Sequence, residues 1–381
     1  MRVLILHNRY RLPGGEERSV SELSALLRRR GHEVAVLERD SASAGGPRAA
    51  RALLSGGEDP LEVQTAVQRL GADVVHAHNL HPLFGWRALA AANRAGARTV
   101  VHLHNFRLSC AIGIAYRNGA PCHDCGARNT LPGVLHRCRG SMAEAAVYGA
   151  ALARQYSRLI EEADRFVAPS QRHRVLLGHH GLPVERVSVL HNFVADAGWA
   201  ESSRAGDGEY ALFAGRLVEE KGVDTAIAAA RAAGVPLVVA GAGPDEERLR
   251  GLAAGADVRF LGWLDAGRLA SVRERAAVLL APSRWEEVCP YSVLDGLAAG
   301  IPVLASDLGG LPELVDPAWG RVLPPDDTGA WAAALVELWG DPQGRRSSGE
   351  AALAAGRERF GEERAYQRLM EIYGGEERGA G

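Results

Sequence analysis

Short apolar runs alternate along nearly the whole chain with longer stretches in which hydrophobic positions recur every three to four residues. Val3–Leu6 predicts a strand. Leu12-Pro13-Gly14-Gly15 then reads as a tight loop, and Glu16–Arg30 as an amphipathic helix ended by Gly31. Val34–Leu37, Asp73–His76, Thr99–Leu103, Phe166–Ala168 and Val187–Leu190 predict further strands. Between them, helical spacing appears around Trp86–Ala95, over Ser141–Ala163 and over Gln171–His179. Ser41–Gly57 is rich in Ala, Gly and Ser and carries no clear assignment. Strands alternating with helices predict a parallel sheet with right-handed crossovers.

The pattern lapses over Asp196–Gly208, the best linker candidate, and then resumes. Strands are expected at Ala211–Ala214, Leu237–Ala240, Val258–Leu261, Ala277–Pro282 and Ile301–Ala305. Helices are expected at Val223–Ala233, Pro244–Ala253 and Ala266–Arg275, and from Pro290 to Ala299, where Gly300 stops the turn. Gly309–Gly310 opens another helix, and Thr328–Leu338, about Gly349–Arg359 and Glu362–Ile372 follow. Gly374–Gly381 reads as a frayed tail. The expected organisation is an α/β domain over residues 1–195 with an irregular insertion at 105–140. A second α/β domain spans 209–360, and a terminal segment, 361–381, crosses back to the first.

Composition changes this picture little. A chain of 381 residues is long enough for two full cores, and 47% hydrophobic with 24% charged residues is ordinary for a soluble globular protein. A net charge of −2 argues against nucleic acid as a partner. No apolar run approaches membrane-spanning length, and the first residues do not read as a signal peptide. A cytoplasmic location is expected, with peripheral contact at the inner face of the membrane left open. One compositional fact is sharper. Of 44 Lys plus Arg, a single residue, Lys221, is lysine. A position that keeps lysine against such a background wants a compact ammonium on a flexible stem instead of a planar fork.

The chemistry collects after strands. Gly215-Arg216-Leu217-Val218-Glu219-Glu220-Lys221-Gly222 follows the first strand of the second domain. It offers two cations beside a helix start, suited to phosphates. Glu287 and Asp295 flank the turn that precedes Gly300-Ile301-Pro302-Val303, placing two acceptors near exposed backbone N–H groups. A ligand with hydroxyls at one end and phosphates at the other fits that arrangement. Gly241-Ala242-Gly243 mimics a dinucleotide fingerprint but lacks its third glycine, Glu246 standing there, so a nicotinamide cofactor is not expected.

Together these stretches resemble glycosyltransferase family 4, retaining enzymes of GT-B architecture. Gly215–Gly222 is similar to that family's Gly-Arg-Leu-x-x-x-Lys-Gly motif, and Glu287–Val303 to its Glu, seven residues, Glu signature, with Asp295 for the second Glu. The resemblance implies two Rossmann-like domains with parallel sheets facing across a cleft. It implies transfer of a sugar from a nucleotide-diphosphate donor, UDP- or GDP-linked, to an acceptor hydroxyl by front-face attack. No metal or other cofactor is required for that catalysis. Arg216 and Lys221 would stabilise the departing diphosphate, and Glu287 would hold sugar hydroxyls with the Val288 and Cys289 N–H groups and Gly215 close by. Asp295 would bind the ribose. Gly14 and Gly15 would face the diphosphate, and His104, at the end of His102-Leu103-His104-Asn105, the donor sugar. Asn105 stands where many relatives have Asp. His76-Ala77-His78-Asn79 would face the acceptor, which is carbohydrate, lipid-linked or a small molecule. Two other functions remain open on the sequence: another GT-B enzyme, such as a sugar-nucleotide epimerase or a phosphorylase, and a non-catalytic sugar-nucleotide-binding protein.

Cys110, Cys122, Cys125 and Cys138 fall in one stretch as C-x11-C-x2-C-x12-C, inside an insertion of ~35 residues that needs a staple or a functional reason. Three states are open for them: a closed tetrathiolate structural zinc site, reduced thiols, or disulfides.

Overall fold

The computed structural model describes residues 1–10 and 14–374. Leu12 and Pro13 of the expected tight loop, and residues 375–381 of the expected tail, lie outside them. The chain divides into two compact units. The first takes Met1–Ala115, Cys122–His191 and the chain from Tyr366 on, and the second takes Tyr116–Pro121 and Asn192–Ala365.

Each unit is built on a six-stranded, wholly parallel sheet. In the first unit the strands are β1 (Arg2–Arg9), β2 (Glu33–Asp40), β3 (Val74–Ala77), β4 (Arg98–His102), β5 (Arg165–Ala168) and β6 (Val187–Val189). They lie in the order β2-β1-β3-β4-β5-β6. In the second unit they are β7 (Tyr210–Ala214), β8 (Leu237–Ala240), β9 (Val258–Gly262), β10 (Ala276–Ala281), β11 (Val303–Ser306) and β12 (Gly320–Leu323). Their order is β9-β8-β7-β10-β11-β12. In both sheets the order reverses direction once, between β1 and β3 and between β7 and β10. Such switch points leave a crevice at the carboxyl ends of two adjacent strands, where ligands bind in this kind of sheet.

The strands are short and apolar because both faces are covered. In the second unit Leu212, Val238 and Leu279 pack on one side with Leu294 and Leu297 of the helix Tyr291–Ala298 and Leu353 of the helix Pro342–Phe360. Their neighbours Phe213, Val239 and Leu280 pack on the other side with Ile227 of the helix Val223–Ala233 and Trp331 of the helix Thr328–Gly340. Leu4, Leu6, Val75, Val101 and Phe166 anchor the core of the first unit.

The departures from the sequence reading have physical causes. Residues 196–208 are not a loose linker. They form two short 3-10 turns, and they bury Trp199 and Ser203. The Ser203 hydroxyl donates to the Gly300 carbonyl at 2.6 Å. The helices Gly46–Ser55 and Pro60–Leu70 occupy stretches that gave no clear signal or none was read, although Asp59 caps the second one and Pro60 opens it. The edge strand β12 was not expected, and the helix expected from about Gly349 begins at Pro342, behind an Asp341 cap. Within 105–140 only a two-residue hairpin, Tyr116–Arg117 with Ala120–Pro121, and the helix Leu131–Leu135 are regular. Ala115, Asn118, Ala127 and Arg137 there adopt positive φ, which breaks any repeat. No helix among the described residues is long and apolar enough to cross a membrane.

Candidate active site

The loops that follow β7 and β10 meet at the switch point of the second sheet. The first carries Gly215–Gly222 and ends in a 3-10 turn, Glu219–Lys221, from which the helix Val223–Ala233 starts. The second carries Ser283–Pro290. The Lys221 ammonium contacts the Glu287 carboxylate in a short ion pair, joining residues 66 apart in sequence. Ser283 donates its hydroxyl to the same Glu287 oxygen at 2.7 Å, and the ammonium lies 5.4 Å from the centre of the Trp285 ring. Both ion-pair side chains are largely buried, at 18% and 7% exposed. Ion pairs held this far from water are screened little, so the site keeps its own charges matched when no ligand is bound.

Arg284 fixes the geometry. Its backbone N–H donates to the Glu220 carbonyl at 2.8 Å. Its guanidinium donates to Asp224 at 2.7 Å and to the Thr225 hydroxyl at 3.0 Å, so the second loop clamps the turn that presents Lys221. Gly222 has φ +64°, and a Cβ there would sit 1.9 Å from the Pro282 carbonyl oxygen. Gly309 has φ +59°, and a Cβ would meet the Glu287 carbonyl oxygen at 2.4 Å. Gly310 donates its N–H to that same oxygen at 2.6 Å. Three loops thus lie against one another backbone to backbone. Ser283, Arg284, Gly309 and Gly310 belong to this constellation, and sequence reasoning did not single them out. The signal available was the pair of glycines after a strand, one of them holding Glu287 in place. Gly241-Ala242-Gly243 serves the same scaffold: Leu217 donates to the Ala242 carbonyl at 3.0 Å.

The other expected residues are placed as follows. Arg216 is exposed, with a 3.5 Å ion pair to Glu220 that is too solvated to hold it firmly. Asp295 is buried on the helix Tyr291–Ala298 and pairs with Arg273 at 2.8 Å. Val288 is half-buried and Cys289 buried. The Cys289 carbonyl accepts from Asn192 at 2.7 Å, and burial pushes its thiol up to about 12.

In the first unit, Gly14 caps the helix Gly15–Arg29 but gives its N–H to Glu17 at 2.7 Å, so a carboxylate already stands at that helix start. Burial raises Glu17, but His7 and the N–H groups of Tyr10 and Gly14 outweigh it and bring the carboxyl down to about 2. Its neighbour Glu16 behaves oppositely. Burial drives it up to about 7, against the lowering pull of the Tyr10 hydroxyl, His7 and Arg107. Tyr10 donates to Glu16 at 2.8 Å, and Asn105 donates to Tyr10 at 3.0 Å and to Glu16 at 3.4 Å. Since the folded value lies above the unfolded one, Glu16 costs stability as pH rises from about 4.5 through about 7, roughly 3 kcal/mol at most. Glu16→Gln is therefore expected to melt like the parent at pH 4.5 and several degrees higher at pH 8. Equal melting temperatures at both pH values would remove the shift.

His104 is half-buried, its Nε2 2.9 Å from Nδ1 of His78. Cys110, Cys122, Cys125 and Cys138 are all half-buried. Burial raises Cys125 to about 11, a Gly133 N–H lowers it, and the other three thiols raise it further, so the four are within electrostatic reach of one another. They do not form a set at ligand spacing. Among the described residues, the group that does is His76, His78 and His102.

The sequence profile of the family described as Glycosyltransferase Family 4 matches residues 13–197, and that described as Glycosyl transferases group 1 matches residues 208–341. The chain is 27% identical to a glycogen synthase of Mycobacterium tuberculosis, over 92% of this chain and 89% of that protein. It is 29% identical to a D-inositol 3-phosphate glycosyltransferase of Mycolicibacterium paratuberculosis, over 97% and 88%. Among solved structures, HepE of Anabaena in complex with UDP superposes with a TM-score of 0.66 at 18% identity, covering 98% of this chain and 100% of that one.

Proposed function

The chain belongs to glycosyltransferase family 4 and is a glycosyltransferase of GT-B type, and from that premise we propose a retaining enzyme that takes its sugar from a nucleotide-diphosphate donor. The observation that carries the proposal is the meeting of Lys221 and Glu287, with Ser283, at the carboxyl ends of β7 and β10. One group of that pair suits a diphosphate and the other suits sugar hydroxyls. On this reading the incoming diphosphate takes Lys221 away from Glu287, and the freed carboxylate accepts from the sugar. Arg216, on an exposed and weakly held side chain, swings in as the second cation. The bond from the anomeric carbon to the β-phosphate oxygen breaks. The acceptor oxygen bonds to the same face of that carbon, and its proton passes to the leaving phosphate. Backbone N–H groups of Val288 and Cys289 complete the cradle, with Gly215, whose own N–H is held by the Ala240 carbonyl, beside it. For His104, Gly14 and Gly15 the support is the family resemblance alone. UDP is the first nucleotide to try, because Anabaena HepE binds it. The acceptor is carbohydrate, lipid-linked or a small molecule.

A thermal-shift panel of nucleoside diphosphates and their sugars tests the donor class, since a ligand at 100 times its Kd adds ~2.7 kcal/mol. Uridine or guanosine diphosphate should raise Tm without added magnesium or manganese, and donor turnover should not need either ion. An absolute requirement for added magnesium or manganese would assign the phosphates to a metal instead of to Arg216 and Lys221.

Asp295 is proposed as the ribose ligand, sharing its carboxylate with Arg273. Asp295→Asn should then raise the donor KM by ~10-fold or more with kcat little changed, because ribose contacts are nearly equal in ground and transition states. Asp295→Glu, a return to the family residue, should be tolerated. An unchanged donor KM with a lowered Tm would leave Asp295 as the structural partner of Arg273.

A further inference from the structure

His76 and His78 lie on and just beyond β3, and His102 ends β4. The register pairs His76 with Val100 and Ala77 with Val101, so His76, His78 and His102 all project from one face of the sheet. All three are buried, at 0%, 3% and 3% exposed. Each offers a ring nitrogen, and these atoms lie within 4.8 Å of one another. Ligand atoms around a tetrahedral ion stand ~3.3 Å apart, so the three nitrogens lie a short shift from that spacing.

Two of the rings are held from behind. His76 Nδ1 is 2.7 Å from the Tyr373 hydroxyl, and His78 Nδ1 is 2.9 Å from His104 Nε2. This leaves Nε2 of His76, Nε2 of His78 and both nitrogens of His102 buried with no protein partner among the described residues. Orphaned ring nitrogens in a core cost ~1–3 kcal/mol each unless something binds them. Rings oriented through their other nitrogen are the arrangement that tunes metal-bound histidines.

We propose that His76, His78 and His102 form a binding site for a late first-row transition-metal dication, zinc above all, with Tyr373 and His104 orienting two of the ligands. The ligand set is imidazole only, which suits zinc, nickel or copper and not magnesium or calcium. Because Tyr373 belongs to the last helix, Glu362–Gly374, an ion here strengthens the seat of that helix on the first sheet.

The test uses full-length, tag-free protein with cobalt(II) as the probe. One equivalent should survive dialysis and show d–d absorption without thiolate-to-cobalt charge transfer. The same spectrum should persist when Cys110, Cys122, Cys125 and Cys138 are all replaced by serine. His102→Gln should abolish it. Tyr373→Phe keeps all three ligands and should weaken binding ~10–100-fold, the usual effect of losing an orienting partner. Charge transfer that disappears in the serine variant, leaving no bound cobalt, would place the metal on the thiols and overturn the histidine site. Should His102→Gln fail to fold, an unchanged cobalt affinity in Tyr373→Phe would overturn it equally.

Discussion

Lys221→Ala is expected to lower kcat by ~10²–10³-fold, the loss seen when one preorganised transition-state contact is removed. The ammonium sits between the two loops of the second unit's switch point, touching Glu287 and lying over Trp285. In the proposed reaction its charge is used most when the diphosphate departs. Lys221→Arg keeps that charge and should still lose ~10²-fold. A planar guanidinium differs in reach and donor geometry from the ammonium that meets Glu287 beside Ser283, and in the proposed reaction it follows a moving charge less readily. Steady-state kinetics on folded variants, with donor KM followed separately, check both. A Lys221→Arg enzyme that turns over like the parent would sink the argument from the single lysine.

The second large effect concerns the glycine beside that lysine. Gly222 and Gly234 bracket the same helix, Val223–Ala233, with nearly the same left-handed backbone, φ +64° and +66°. A Cβ on Gly234 meets nothing within 4 Å, whereas one on Gly222 falls 1.9 Å from the Pro282 carbonyl oxygen. Gly234→Ala should therefore cost only the left-handed strain, ~1–2 kcal/mol. Gly222→Ala should cost that plus a forced backbone shift, ~3–4 kcal/mol together, and should lower turnover by displacing Lys221. Chemical denaturation of the two variants isolates the contact between the loops. Equal losses would show that it does not constrain the turn.

The two sheets were legible because parallel strands buried on both faces read as plain apolar runs, as Leu237–Ala240 and Ala276–Ala281 do. Edge strand β12 was not, since its burial is partial and its Gly320 and Arg321 leave only Val322 and Leu323 as an apolar run. Residues 196–208 looked like a linker by composition, but Trp199 and Ser203 are held by partners far along the chain, which local pattern cannot announce. Glu287 and Lys221 were each singled out from the sequence, through the resemblance, while their contact was not legible. The histidines show the limit most plainly. His76-Ala77-His78 and His102-Leu103-His104 were each read alone, because only strand register reveals that two such pairs share a face.

The C-terminal helix bears on the order in which the protein is made. Its first residues belong to the second unit, and those from Tyr366 on belong to the first. Domains tend to fold from the amino end as the chain leaves the ribosome. Here the first sheet and its core are synthesised before residue 192, yet Tyr366 must still reach His32, and Tyr373 must reach His76. Leu369 and Ile372 of the same helix are buried in the finished protein. The first unit therefore waits, with His76 and the surface under that helix uncovered, for the whole second unit to be translated. Its contacts with that helix close only once residue 373 is out, so a nascent chain stalled anywhere in the second unit carries an unfinished first one.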